Sequence, residues 1–495
     1  MVFNSYTFIA FFIIMLVLHN LPFPWKVKKV NLLLASYIFY AAWNPPFIIL
    51  LWISTLIDYI VGKKLYETEN PLKRKLLLWI SLAGNLGMLG YFKYGGFLLE
   101  NFVSLTSALG IDFHPAKPDI ILPVGISFYT FQTLSYTLDM YRKKRPPEKS
   151  LLDFSLFVTF LPQLVAGPIV RPDQLIPQFK KPHVASGQQM IQGLFLLSLG
   201  LFMKSVLADT LLAAPADQIF GSPQPLLAVD AWLGVLAFSG QIFFDFAGYS
   251  TCAIGIANCL GFSLVDNFRY PYAAIGFSDF WRRWHITLST WLRDYLYIPL
   301  GGNRKGTGRT YINLMITMLL GGLWHGASWT FVVWGALHGT YLCVEKLIRE
   351  KFVSTPKPPE QEQIQVPVIA QASIVPSFGR SNSFNNFLLA MFTFFLINVT
   401  WVFFRAKDFT TAWQLLTSMF GQADNGIALL PTIDMIKVTT VVTLMVIFHW
   451  FMRNTSVMQV AQKMKWWMIS IVWSFMLIAL IVSQKSSDSF IYFQF

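Results

Sequence analysis

Charge is the scarcest commodity in this chain. Asp, Glu, Lys and Arg make up 13% of its 495 residues, against roughly 25% in a soluble globular domain. With 55% hydrophobic residues and a mean hydropathy of +0.51, the composition excludes an ordinary soluble enzyme and predicts a polytopic membrane protein. Cysteine is nearly absent as well. Three residues are too few, and odd in number, for a disulfide framework, and no pair has metal-ligand spacing, so no metal is expected. Cys252 and Cys259 sit seven apart in a Gly-rich apolar run and read as packing residues. No G-x-S-x-G elbow, P-loop, zinc-spaced histidine pair or dinucleotide fingerprint lies near the candidate sites described below. The apolar run at residues 6–21 has no Lys or Arg before it and no small-residue cleavage site, so it reads as a retained first membrane helix. No repeat of solenoid period and no inverted symmetry is visible, which weakens a secondary-transporter reading.

What the chain does have is apolar segments from end to end. A membrane span needs about 20 largely apolar residues. Candidate spans, some short, cover residues 6–21, 30–43, 47–62, 76–99, 120–140, 190–212, 228–259, 311–323, 329–344, 387–404, 436–451 and 466–482. Residues 151–170 are apolar too, but Pro162 and Gly167-Pro168 interrupt them, which predicts a broken or re-entrant helix. The fold class expected is therefore all-α, a helical membrane protein with about a dozen segments plus re-entrant and interfacial helices. Although Lys and Arg outnumber Asp and Glu 38 to 25, the excess falls in particular loops, not along one amphipathic face, so nucleic acid is not the expected partner. Basic loops (Lys26, Lys28 and Lys29; residues 62–75; residues 141–150) alternate with acidic ones (residues 100–119; Asp209, Asp217 and Asp230). The positive-inside rule puts the basic set, including residues 263–310, in the cytoplasm and the N-terminus outside. Residues 352–384, with five prolines among Glu, Gln and Ser, read as a flexible cytoplasmic loop.

Two Trp-flanked histidines stand out against this background. His325 lies in Leu319-Leu320-Gly321-Gly322-Leu323-Trp324-His325-Gly326-Ala327, and an ionisable side chain at membrane depth is a functional-site hypothesis by default. A neutral imidazole there can take the proton of an attacking hydroxyl; the plainer reading is a histidine bonded to a neighbouring helix. The glycines around it would permit close approach of backbone or substrate. His285 ends Asp279-Phe280-Trp281-Arg282-Arg283-Trp284-His285, which reads as an interfacial helix. Asp279 and Arg283 form an i,i+4 pair in it, and Trp281, Trp284, Trp291, Tyr295 and Tyr297 supply boundary aromatics. Arg282, Arg283, Arg293, Arg304, Lys305 and Arg309 face one acid, Asp294, over this stretch. They suit lipid headgroups or a phosphate-bearing cytoplasmic donor. His338 and His449 read as packing histidines. Asp58, Asp139 and Asp245 read as partnered carboxylates, or as proton relays if the protein were a permease.

A family resemblance rests on several long motifs in fixed order. They begin with Pro123-Val124-Gly125-Ile126-Ser127-Phe128-Tyr129 and Phe243-Phe244-Asp245-Phe246-Ala247-Gly248-Tyr249-Ser250, followed by Asn267-Phe268-Arg269-Tyr270-Pro271-Tyr272. The Asp279 to His285 run comes next, then Trp291-Leu292-Arg293-Asp294-Tyr295, Pro299-Leu300-Gly301-Gly302-Asn303-Arg304 and Gly321-Gly322-Leu323-Trp324-His325-Gly326. Together they resemble the membrane-bound O-acyltransferase family, in its bacterial polysaccharide branch. The resemblance implies one such domain over residues 1–495, in the bacterial plasma (inner) membrane, with a tunnel through a helical ring. It implies His325 and His285 as the catalytic histidines. It also implies an acyl thioester donor such as acetyl-CoA, and a polysaccharide acceptor reached through an extracytoplasmic partner protein. The residues expected to hold the donor's phosphates are Arg282, Arg283 and Arg304. O-acetyl transfer in exopolysaccharide modification is the function expected; the alternatives are D-alanyl transfer from a carrier protein to teichoic acid, a polysaccharide or ion permease, and a scaffold with structural histidines.

Overall fold

A computed structural model describes residues 3–116, 119–352, 383–422 and 425–483. Among the described residues the regular structure is helical, with a single isolated bridge between Leu226 and Ile427. Among the described residues six helices are long and apolar enough to cross a membrane: Pro45–Glu67, Pro71–Ala108, Gly187–Phe220, Ala228–Cys259, Phe384–Arg405 and Thr432–Met452. Tyr6–Asn20 and Trp466–Val482 are shorter apolar helices. Local sequence explains where they begin. The Ser5 hydroxyl caps the first by accepting the Phe8 N–H at 3.1 Å. Asn70 accepts the N–H groups of Leu72 and Lys73 ahead of Pro71 at the first helical position. Ser186 and Gln189 form a capping box at the start of Gly187–Leu201.

The expected interruption of residues 151–170 is present: helices Leu151–Thr159 and Leu161–Leu164 are followed by a turn back to Pro172–Phe179. Residues 120–140 differ from expectation. The helix begins only at Ile126, because Gly125 takes φ +75 and a Cβ there would lie 2.7 Å from the Leu164 carbonyl oxygen. Ile126–Tyr141 is also buried on nearly all sides, so it is an inner helix and not a lipid-facing span. Residues 353–382 of the expected loop lie outside the described residues.

The 32-residue helix Ala228–Cys259 runs through the middle. One hydrophobic core packs on it at Phe246, Cys252 and Ile256, and a second at Phe238, Ile242 and Phe243. Cys252 and Cys259 lie against Gly200 and Gly193 of the facing helix, as packing residues should. Large apolar side chains such as Leu72, Phe451 and Trp466 point outward, the pattern a lipid-facing surface requires.

The basic loops share one face. Lys143 pairs with Glu69 at 2.7 Å, Arg142 donates to the Asp294 carbonyl at 3.0 Å, and the Trp25 indole donates to the Phe179 carbonyl at 2.7 Å. On the opposite face the Trp329 indole donates to Asn101 at 2.9 Å and Tyr40 donates to the Val124 carbonyl at 3.0 Å.

Candidate active site

His325 is the last residue of the helix Thr307–His325, which packs against Trp329–Phe352. Glycine allows that approach: a Cβ on Gly322 would lie 2.3 Å from the Phe331 carbonyl oxygen, and one on Gly335 would lie 2.4 Å from that of Met318. The backbone turns extended at Gly326 and the helix stops. Its last carbonyls are satisfied from across the fold by a π-helical turn, Gly90–Tyr94. Tyr94 donates to Leu323, and Lys93 Nζ donates to both Trp324 and His325, each at 2.8 Å. The His325 ring is buried among Trp324 and Trp334 (centroids 5.0 Å each), Phe404 (5.3 Å) and His285 (6.4 Å).

His285 joins two short helices, Phe277–Arg283 and Ile286–Leu292, in the left-handed conformation at φ 43 and ψ 54. For a non-glycine residue this costs on the order of 1–3 kcal/mol and persists only where the surroundings enforce it. Asn267 does much of the enforcing. Its main-chain carbonyl accepts the Ile286 N–H at 2.9 Å, while its side-chain oxygen accepts the Thr287 N–H at 3.2 Å and the Thr287 hydroxyl at 2.9 Å. A backbone N–H can only donate, so that Asn267 atom is the oxygen, and His285 Nδ1, 3.2 Å away, must be a donor to it. The neutral ring therefore carries its lone pair on Nε2, which is buried with no hydrogen-bond partner among the described residues. Asn267→Ala strands the Nδ1 proton, a loss of about 1–3 kcal/mol. Turnover at this site is expected to fall about tenfold or more, read as initial rate per unit of folded protein; an unchanged rate would show that the orientation of His285 is irrelevant.

A cavity of about 280 Å³ lies beside His325, walled by Lys93, residues 122–128, Trp324 and half-exposed Trp43. His325 is on its wall, whereas His285 lies one ring behind. The two histidines are thus neighbours, but only one of them lines this cavity. Toward the basic face, Trp324 meets Phe131 at 5.4 Å, and Phe131 stacks on Trp291 at 3.9 Å. Trp291 leads to Tyr295 at 5.1 Å. Around the Tyr295 ring gather Arg142, Arg171 and Lys144, at 5.3, 5.4 and 5.7 Å from its centroid. Asp294 pairs with Arg171 at 2.6 Å and Arg293 at 2.7 Å. Burial would raise its carboxyl, but the hydrogen bonds and charges of Arg293 and Arg171 outweigh burial and hold it below the usual carboxylate value.

The arginines expected at a donor site separate. Arg283 is buried, its Nε paired with Asp279 at 2.9 Å and its Nη1 donating to the Arg453 carbonyl at 2.8 Å, so its guanidinium is committed to structure. Arg282 and Arg304 are exposed and make no side-chain hydrogen bond or ion pair among the described residues. The expected boundary aromatics Trp284, Trp291 and Tyr295 are buried in protein instead, because this segment folds inward. Arg142, Lys144 and Arg171 escaped sequence reading: the first two served there only as loop charge, and Arg171 carried no signal.

His338 bonds to the Thr400 hydroxyl at 3.1 Å, and His449 Nδ1 accepts the Tyr272 N–H at 3.3 Å. Asp58 accepts from Thr137 at 2.7 Å, Asn85 at 2.8 Å and Ser81. Asp139 accepts from Tyr295 at 3.0 Å, and Asp245 pairs with Lys204. All of these have structural partners. Among the described residues no group of three or more His, Cys, Asp or Glu side chains could hold a metal ion.

Fold and site together define a polytopic membrane protein with a pair of neighbouring buried histidines, one of which lines a cavity. Residues 142–375 match the profile of the membrane-bound O-acyltransferase family. The chain is 40% identical over 428 residues to a probable alginate O-acetylase of Azotobacter vinelandii, covering 86% of this chain and 79% of that protein. It is 37% identical over 452 residues to a peptidoglycan O-acetyltransferase of Helicobacter pylori, covering 85% and 78%. To a teichoic acid D-alanyltransferase of Streptococcus thermophilus it is 30% identical over 274 residues, covering 50% and 63%. The chain belongs to the membrane-bound O-acyltransferase family and is an acyltransferase.

Proposed function

We propose that this protein is an O-acetyltransferase of exopolysaccharide modification, acting on an alginate-like glycan. The observation that carries the reading is His325, a buried imidazole on the wall of a cavity also lined by Trp43, which follows the end of its helix away from the basic residues Lys26, Lys28 and Lys29. Under the positive-inside rule the basic face is cytoplasmic, so the cavity faces the acceptor side and the N-terminus is extracytoplasmic. The donor, a thioester such as acetyl-CoA, approaches from the basic face. Arg282 and Arg304 are exposed there, and Arg142, Arg171 and Lys144 cluster around Tyr295 closer to the stacked rings. The open guanidinium forks of Arg282 and Arg304 suit the donor's phosphates, while Arg142, Arg171 and Lys144, each with a protein partner, add positive charge nearby.

His325 takes the proton of the acceptor hydroxyl as that oxygen attacks the thioester carbonyl, then returns it to the departing thiolate. His285, whose lone pair is on Nε2 and whose ring centroid lies 6.4 Å from that of His325, orients the reacting group or shares the proton. The acceptor is the polysaccharide, or a partner protein that completes transfer to it. Longer and stronger similarity to O-acetyltransferases than to the D-alanyltransferase favours acetyl as the cargo. A permease working through Asp58, Asp139 and Asp245 is disfavoured, since each of those carboxylates is taken up by neighbours.

The test is purified protein in proteoliposomes, offered labelled acetyl-CoA or a D-alanyl-loaded carrier protein, with glycan on the opposite side. Acetyl transfer from acetyl-CoA and none from the carrier is expected; transfer of D-alanine alone would reverse the assignment.

A further inference from the structure

Lys93 and His325 are the two ionisable side chains on the cavity wall. An ammonium in so apolar a wall, inside a membrane protein, is costly unless something offsets it. Among the described residues no carboxylate pairs with Lys93; its contacts are the Trp324 and His325 carbonyls at 2.8 Å and the Trp324 ring at 5.9 Å. These contacts favour the charged form. The carbonyls are the negative end of the helix Thr307–His325, and the indole face attracts a cation. They occupy two of the three N–H bonds of an ammonium and neutralise none of its charge. With Lys93 protonated, the cavity holds a positive charge, with a donor to spare, next to the imidazole proposed as base.

We propose that Lys93 binds the oxyanion of the acyl-transfer intermediate. The inference rests on the reading of His325 as base. The acceptor oxygen forms a C–O bond to the thioester carbon while its proton passes to His325. The carbonyl π pair moves onto the acyl oxygen, and the Lys93 ammonium holds that negative charge. Collapse re-forms C=O and breaks the C–S bond, and the thiolate recovers the proton from His325. The π-helical turn Gly90–Tyr94 has the same logic: an anchored lysine needs no reorganisation when charge develops.

A lysine that merely closed the helix end would act through its N–H bonds, not its charge, and Lys93→Gln separates these roles because its amide still donates to a carbonyl. With acetyl-CoA and glycan, K93Q is expected to lower kcat by about 10²–10³-fold, with little change in KM. Lys93→Arg is expected to recover at least tenfold of the loss. Unchanged kcat in K93Q would reduce Lys93 to a helix cap, and a raised acceptor KM at normal kcat would make it a reader of an anionic acceptor; either overturns the proposal. A second measurement needs neither turnover nor a variant. Methylphosphonate, a tetrahedral anion, is expected to shield Lys93 of the wild-type protein from reductive methylation, read by peptide mass spectrometry. Absence of shielding overturns the proposal too. Shielding without acetyl transfer would count against the O-acetyl reading alone.

Discussion

His325→Ala is expected to cut acyl transfer by about 10³-fold, within the span of general-base contributions. The imidazole is the one proton acceptor of neutral character on the cavity wall, and its neighbours there, Trp324 and Phe128, cannot replace it. Truncation also opens a void among Trp324, Trp334 and Phe404, so part of any loss could reflect collapse of the aromatic cage. His325→Gln fills most of that space with a group that cannot accept a proton at useful strength. Both variants are expected to reach the membrane in normal amount and to lose activity alike. Near-normal transfer by either, measured per folded molecule, would remove His325 from the chemistry.

Asp279→Ala is expected to be the most destabilising single change in the described structure, at about 3–5 kcal/mol. The carboxylate is buried and accepts from three directions: Arg283 Nε at 2.9 Å, Arg453 Nη2 at 3.2 Å and the Ile275 N–H at 3.0 Å. Its removal leaves two guanidiniums without their counter-charge and frees the turn that leads into His285. Lost thermal stability in detergent, with activity lost in parallel, is the expected result. Asp279→Asn keeps the shape and an acceptor oxygen, and should fall between wild type and alanine. A wild-type melting temperature for Asp279→Ala would mean that water, and not Asp279, solvates these arginines. The same geometry explains why Arg283 cannot serve the donor. Its fork is already closed, whereas adjacent Arg282 is exposed on the helix.

Much of the architecture follows from composition and periodicity. Long apolar runs must become helices in a bilayer because their backbone groups have no water to bond. That requirement made eight of the twelve expected spans legible, two of them as short helices; residues 30–43, 120–140, 311–323 and 329–344 are not among the helices with the apolar character of a span. The break at Pro162 and Gly167-Pro168 and the packing role of Cys252 and Cys259 were legible too. The inward course of residues 277–297 was not. Its Trp, Tyr and Arg content is what a membrane boundary uses, and nothing local distinguishes an indole at an interface from one stacked on Phe131. The start of the inner helix at Ile126 was equally hidden, because it depends on the Leu164 carbonyl lying where a Cβ at Gly125 would go.

The site divides in the same way. Sequence alone determined the class of protein and singled out His325, as an ionisable group in an apolar run, and His285, as a Trp-flanked histidine beside a basic cluster. Only tertiary structure decided that their rings lie 6.4 Å apart, that Asn267 sets the His285 tautomer, and that Lys93, from a distant helix, stands beside His325 on one cavity wall. The physical reason is separation along the chain. Hydropathy is a property of each segment, but proton positions and uncompensated charge arise where segments meet.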